Sequence, residues 1–280
     1  MTSSTAVPLD WAAWGPAGAP RLLLLHGGPG AHHDYLLPQM LHLAEQYDLL
    51  LYDQRGGGRS KTDDPAPITA HVHVSDLVSV VLELALEPLS LVGYSWGATL
   101  AILAALDGRV KPARLVLLDP APLNRTWREQ FESEFAARMR GPAVTRLREE
   151  LATSGLKERD PVAYKQRAFE LSVAGYFAHP ERANALTPFR VMGRVQQSVW
   201  ASLGDVDLTE PLERLRLPAL VVHGRQDPVP IASSEAAARA LGAEFVVLEE
   251  CGHVPYVEQP AALFAALDRF LAATDAAPPT

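Results

Sequence analysis

Ser95, Asp227 and His253 lie far apart in the sequence, and each follows an apolar run of strand length. A neutral serine hydroxyl is a poor nucleophile. It attacks a carbonyl when a base takes its proton and a third group orients that base. Serine, histidine and aspartate are the residue types for this arrangement. The chain order nucleophile, acid, base is one that parallel sheets with a strand-to-helix serine corner use. The chemistry expected is hydrolysis through an acyl-enzyme.

Ser95 is the centre of Gly93-Tyr94-Ser95-Trp96-Gly97, a G-x-S-x-G between an apolar strand, Leu89–Tyr94, and an apolar helix, Gly97–Leu106. A turn this sharp strains the residue at its tip and lifts the hydroxyl clear of the sheet, while the flanking glycines let helix and strand approach. The serine then sits at a helix amino end, where backbone N–H groups can hold a developing oxyanion. A second donor is expected from His26-Gly27-Gly28-Pro29-Gly30, so the hole is assigned to the backbone N–H groups of Gly28 and Trp96. Two positions have rivals. Asp119 also follows a strand and is the alternative acid, its other role being to cap the chain beyond it. His26 and His223 also sit at strand ends, as bases or as structural histidines. His32, His33, His42, His71, His73 and His179 are expected to face solvent.

Apolar strands alternate with helical patterns along most of the chain. Strands are expected at Arg21–Gly28, Tyr47–Asp53, Leu89–Tyr94, Arg114–Pro120, Pro218–Asp227 and Glu244–Glu250. Helices are expected at Tyr35–Gln46, Thr69–Leu86, Gly97–Leu106, Ser233–Leu241 and Pro260–Ala272. Strands that are apolar throughout, not alternately, are buried on both faces. This implies an α/β protein with a mainly parallel sheet flanked by helices. The rhythm breaks between residues 121 and 208, which read as charged and helical. The expected organisation is a core of residues 1–120 and 209–280 with a helical cap of residues 121–208, placed over the strand carboxyl ends.

Composition narrows the classes. The 280 residues carry a formal net charge of −8, which disfavours nucleic acid and anionic membranes as partners. The cap holds 13 Lys/Arg and 11 Asp/Glu, so the negative balance belongs to the core. No apolar stretch is long enough for a span, and the first residues do not read as a signal peptide. The single cysteine, Cys251, suits a reducing, cytoplasmic setting. The last residues, TDAAPPT, read as a frayed tail. His71 and His73 lack a completing ligand set, and GGGRS lacks phosphate-loop spacing, so neither a metal nor a cofactor is expected.

The set LHGGPG, YDQRGGGRS, GYSWGATL, HGRQDPVP and CGHVPY resembles the α/β-hydrolase superfamily, and within it the proline iminopeptidase-like group that includes the tricorn-interacting aminopeptidase. The resemblance implies a Ser95–Asp227–His253 triad, a cap, and small or short-peptide substrates with a free amino terminus. It also implies acidic residues for the substrate ammonium. Here Pro228 follows Asp227, and Gln196 and Gln197 stand where a second acid is expected, leaving Glu129, Glu132 and Glu134 as sources, though their spacing also suits a solvated helix face. The opening edge of the sheet should be shortened to one or two strands. The rival readings are a carboxylesterase, lactonase or C–C-bond hydrolase with an apolar pocket drawn from Trp127, Phe131, Phe135, Phe169, Tyr176, Phe177, Phe189 and Trp200. More remote is a ligand receptor that keeps the fold. Dehalogenases and epoxide hydrolases of similar pattern use an aspartate where Ser95 stands.

Overall fold

The computed structural model describes residues 9–272. The TDAAPPT tail lies outside the described residues, as does most of the segment read for a signal peptide. Seven strands form one sheet: β1 (Trp11–Trp14), β2 (Arg21–Leu25), β3 (Asp48–Tyr52), β4 (Leu89–Tyr94), β5 (Arg114–Leu118), β6 (Ala219–Gly224) and β7 (Glu244–Leu248). Their order is β1-β3-β2-β4-β5-β6-β7. Only β1 runs antiparallel to its neighbour. Among the described residues the opening edge is therefore a single short strand.

The continuous leucine and valine runs divide by parity. Leu23, Leu25, Leu50, Leu91, Leu115 and Val221 enter one buried cluster. Leu22, Leu24, Leu51, Val92, Val116 and Leu220 enter another on the opposite face. Each such side chain contributes roughly 1.5–3 kcal/mol by leaving water, so both faces must be covered. Helices α1 (Ala70–Glu83) and α2 (Trp96–Asp107) cover the first face. Between β5 and β6 the chain forms α3 (Arg125–Met139), α4 (Pro142–Thr153), α5 (Pro161–Val173) and α6 (Gly193–Leu203), with no strand among the described residues. After β6, α7 (Ile231–Leu241) joins the first face and α8 (Pro260–Ala272) covers the second.

Helix starts follow local chemistry. The Thr69 hydroxyl accepts the Val72 N–H at the start of α1, and the Asn124 side chain accepts the Trp127 N–H at the start of α3. The expected Tyr35–Gln46 helix is instead divided into a 3-10 turn at His33–Tyr35, a helical turn at Leu37–Met40 and a second 3-10 segment at Leu41–Glu45. Pro38 has no N–H to donate into a helix begun at Tyr35, so the helical turn restarts with Pro38 near its beginning.

The chain leaves β2 towards β3 on one side, then returns to β4 on the other. Loops at such a reversal diverge and leave a crevice at the strand carboxyl ends. The loop after β2 and the turn after β4 both open there, and they are close. A Cβ on Gly97 would lie 2.2 Å from the Leu25 carbonyl oxygen, and one on Gly93 would lie 2.4 Å from the Gly97 carbonyl oxygen. We therefore expect Gly97→Ala to push α2 off the sheet and to cost at least ~2 kcal/mol. Urea unfolding checks this, and a wild-type midpoint would refute it.

Candidate active site

Ser95 occupies the corner between β4 and α2 with φ 54° and ψ −119°, a left-handed conformation uncommon outside glycine. Hydrogen bonds hold it there. Its N–H donates to the Leu118 carbonyl at 2.9 Å, and its carbonyl accepts the N–H groups of Ala98 and Ala121 at 3.0 and 3.2 Å. The hydroxyl lies 2.9 Å from Nε2 of His253. On the far side of that ring, Nδ1 lies 2.7 Å from Oδ2 of Asp227. An ionised carboxylate only accepts, so Nδ1 carries the hydrogen and Nε2 is left to accept from serine. The Asp227 carboxyl is fully buried, which opposes ionisation. The electrostatic attraction and hydrogen bond of the His253 N–H outweigh burial and hold it below the ordinary carboxylate range.

Two tyrosines fix the histidine. The His253 N–H donates to the Tyr176 carbonyl at 2.7 Å, and the Tyr94 hydroxyl donates to the His253 carbonyl at 2.8 Å. The Tyr176 ring stacks on the imidazole at 5.2 Å. Asp119 does not reach this ring. Its Oδ1 accepts the Gly224 N–H at 2.8 Å beneath Asp227, so it does not cap the chain that follows it. Burial, then the charge of Asp227, push the Asp119 carboxyl well above its ordinary range, which keeps it neutral. His223 is a structural histidine: its Nε2–H donates to the Val229 carbonyl at 3.2 Å, and its Nδ1 accepts from the Ser234 hydroxyl at 2.9 Å.

In the loop after β2, the Gly27 N–H is already committed to the Tyr35 hydroxyl at 2.8 Å. Among the described residues, the N–H groups of Gly28 and Trp96 take part in no turn or loop bond. Gly28 has φ 61°, which turns its N–H without side-chain strain. The loop is anchored by the buried Asp53, which accepts from His33 N and Nδ1 at 2.9 and 2.7 Å and from the Arg59 N–H at 2.8 Å. The Arg59 side chain reaches Asp10 at 2.6 Å and Asp34 at 2.7 and 2.9 Å.

Two histidines depart from the solvent-facing expectation. His33 is buried as the partner of Asp53, whose charge needs a donor out of water. His73 is buried because it shares the inner face of α1 with Leu77 and Val80, its ring edge-on to Trp96 at 6.0 Å.

Above Ser95 lies a cavity of about 520 Å³. Of the eight aromatics offered by sequence, Phe131, Tyr176, Phe189 and Trp200 line it, and Trp127, Phe135, Phe169 and Phe177 do not. Gln196 and Gln197 line it as well. Glu129 is paired with Arg125 at 2.8 Å and Glu134 with Arg138 at 2.8 Å. Glu132 does more than face solvent, because it too lines the cavity, one turn beyond Arg128. Sequence reasoning missed Tyr35 and the main-chain role of Tyr176. Neither spacing nor composition marks a tyrosine whose hydroxyl or carbonyl serves a residue distant in sequence.

The sheet order, the serine corner and the two loops beside it are those of one family, and a model of the alpha/beta hydrolase family matches residues 22–267. The chain belongs to that family and is a hydrolase. Within it the chain falls in the proline iminopeptidase-like group. The proline iminopeptidase of Levilactobacillus brevis is 28% identical over 278 residues, covering 91% of this chain and 89% of its own. That of Lactobacillus delbrueckii subsp. bulgaricus is 27% identical over 257 residues, covering 86% and 85%. A proline iminopeptidase-related protein from Thermus thermophilus superimposes with a TM-score of 0.74 at 24% identity over 97% of both chains. Among the described residues, no helix is long and apolar enough to cross a membrane.

Burial pushes His26 from 6.5 down to about 4 and His73 down to about 3, and it also lowers His223. In each case the folded-state pKa lies below the unfolded one. The unfolded chain therefore binds protons that the fold refuses, and stability is complete above the ordinary histidine value and falls as pH drops towards 4. Asp53 and Asp227 are depressed carboxylates, and their contribution is lost only below the ordinary aspartate value of 3.8. We expect the urea midpoint to fall between pH 7 and 4.5, and to fall less in His73→Phe. Asp119, which keeps its proton in the fold, gains stability over the same interval and opposes the histidines, so the comparison decides: an equal fall in His73→Phe and wild type would show that the His73 ring is not held neutral.

Proposed function

We propose that the protein is a serine hydrolase that acts through an acyl-enzyme on small substrates with a free amino-terminal residue, as a proline iminopeptidase-like aminopeptidase. The observation that carries this reading is the unbroken line from the Ser95 hydroxyl through both nitrogens of His253 to Asp227, at 2.9 and 2.7 Å. His253 takes the serine proton as Ser95 attacks the carbonyl carbon. The oxyanion forms between the N–H groups of Gly28 and Trp96, whose preset dipoles need no reorganisation. His253 then passes its proton to the leaving nitrogen, the C–N bond breaks, and the acyl group stays on Ser95. A water, deprotonated by the same imidazole, repeats the sequence and frees the acid. Asp227 remains ionised, holding the tautomer and balancing the imidazolium. Asp119, neutral beneath it, is not the orienting acid.

Residues 121–208 act as a cap over the core of residues 1–120 and 209–280, closing the site from water. Glu132 is the carboxylate this cavity offers to a substrate ammonium, which is costly to desolvate unpaired. The named relatives at 27–28% identity support the amine reading. The second reading, a carboxylesterase, lactonase or C–C-bond hydrolase, draws on the aromatic walls and on glutamine at 196 and 197. The buried, unpaired Cys251 suits a cytoplasmic setting.

Ser95→Ala should abolish turnover of p-nitrophenyl acetate. Asp227→Asn should lower kcat by about 10⁴-fold, and Asp119→Asn far less. A reversed ranking of the two aspartates would move the acid to Asp119. Glu132→Gln should raise KM for prolyl-2-naphthylamide at least ~10-fold, the loss of about one charged hydrogen bond, and leave p-nitrophenyl acetate unaffected. Rejection of every free-amine amide by the wild type, with good ester hydrolysis, would leave the second reading.

A further inference from the structure

Gln54 lies in the glycine-rich stretch after β3, is fully buried, and does not line the cavity. Its side chain joins two parts of the site that come from different strands. The Trp96 indole Nε1–H donates to its Oε1 at 2.7 Å. Its Nε2 donates to the His26 carbonyl at 2.9 Å. Its main-chain N–H donates to Nε2 of His26 at 3.2 Å, while Nδ1 of the same ring lies 2.9 Å from the Gly27 carbonyl. Trp96 follows the serine, and His26 begins the loop that carries Gly28.

An indole N–H only donates and a peptide carbonyl only accepts, so a bridge between them must accept at one end and donate at the other. A carboxamide does both, and its two partners determine which way it faces. A hydrocarbon of the same shape does neither, and an ionised carboxylate has no hydrogen for the carbonyl. We infer that Gln54 is a positioning residue that locks the Trp96 and Gly28 donors of the oxyanion hole into one rigid frame. The inference rests on the acyl-enzyme reading above. The two donors come from separate loops, after β2 and after β4, and the sheet bonds between those strands end at Leu25 and Gly93. Beyond that point, the Gln54 amide is a direct side-chain tie between them. A donor displaced by about 1 Å costs on the order of 100-fold in rate, because its bond strengthens only as charge develops on the oxygen.

Gln54→Leu and Gln54→Glu test this with p-nitrophenyl acetate, beside the wild type and Ser95→Ala. Gln54→Leu should lower kcat roughly 10- to 100-fold with KM within about twofold, since the bridge acts on the transition state and not on binding. Gln54→Glu should be at least as impaired at pH 8. Its deficit should narrow as pH falls to 5.5, because a protonated carboxyl again offers one O–H and one C=O, and burial raises the pH at which that proton binds. The Gln54→Leu deficit should stay constant over the same range. The groups facing this position do not interfere. Burial keeps His26 and His73 neutral down to about 4 and about 3. Asp53 stays ionised beside His33, and Arg55 is paired with Asp76 at 2.5 Å. Each variant is read as a ratio to wild type at the same pH, so changes common to both cancel. A Gln54→Leu kcat within threefold of wild type, a loss confined to KM, or parallel pH profiles for the two variants would overturn the inference. If Gln54→Leu fails to fold, the Gln54→Glu profile against wild type decides alone. Turnover that survives Ser95→Ala would instead remove the acyl-enzyme reading beneath it.

Discussion

The site depends on one steric fact, the approach of α2 to β2 at a distance that admits no side chain. With Gly97 against the Leu25 carbonyl, the chain leaving β4 must turn within a single residue, and that residue is Ser95. The same contact brings the loop after β2 beside the hydroxyl: a Cβ on Gly27 would lie 3.0 Å from that of Ser95. The strain at φ 54° persists because backbone bonds to Leu118, Ala98 and Ala121 over-determine the corner. A cost of order 1–3 kcal/mol in one residue is offset by a core that buries the sheet on both faces.

Around this corner, charge is sorted by partner. Asp53 and Asp227 are buried and ionised because each receives several donors. Asp119, fully buried with one carboxylate oxygen unpartnered and Asp227 beside it, holds its proton instead. His26 and His73 stay neutral because burial dominates: it outweighs the Gly27 carbonyl and the charge of Asp53 at His26, and nothing opposes it at His73. The result is a single anionic group placed directly behind the imidazole, with a neutral layer beneath. Under the proposed chemistry, the imidazolium is stabilised only where it forms.

The sheet was legible in the sequence because its strands are apolar throughout, and a run such as Leu22–Leu25 has no other stable place than between two layers. The serine corner was legible because its two glycines are a local requirement. The meeting of Ser95 and His253 with an aspartate from a strand end could be anticipated from the serine corner and chain order. The divided segment at residues 33–45 was harder, since helical periodicity outweighed one proline. His33 and His73 were misplaced for opposite reasons. His33 is drawn inward by a partner 20 residues away, and His73 sits on an apolar helix face whose periodicity includes it. The fork between Asp119 and Asp227 could not be resolved by reading, because both follow strands. It turns on which carboxylate reaches the imidazole nitrogen. Gln54 was invisible as anything but a loop residue, because both of its side-chain partners are distant in sequence.

Among the bonds that fasten the segment over the cavity to the core below it, three reach the loops around the site. The His253 N–H is held by the Tyr176 carbonyl, the Met192 N–H donates to the Gly30 carbonyl, and Arg138 donates to the carbonyl of Gln226, one residue before Asp227. In the proposed mechanism these are the loops that carry base, oxyanion donor and acid. Under the proposed chemistry the roof and the reacting groups are therefore one mechanical unit, and a shift of the roof would be felt by base, oxyanion donor and acid together.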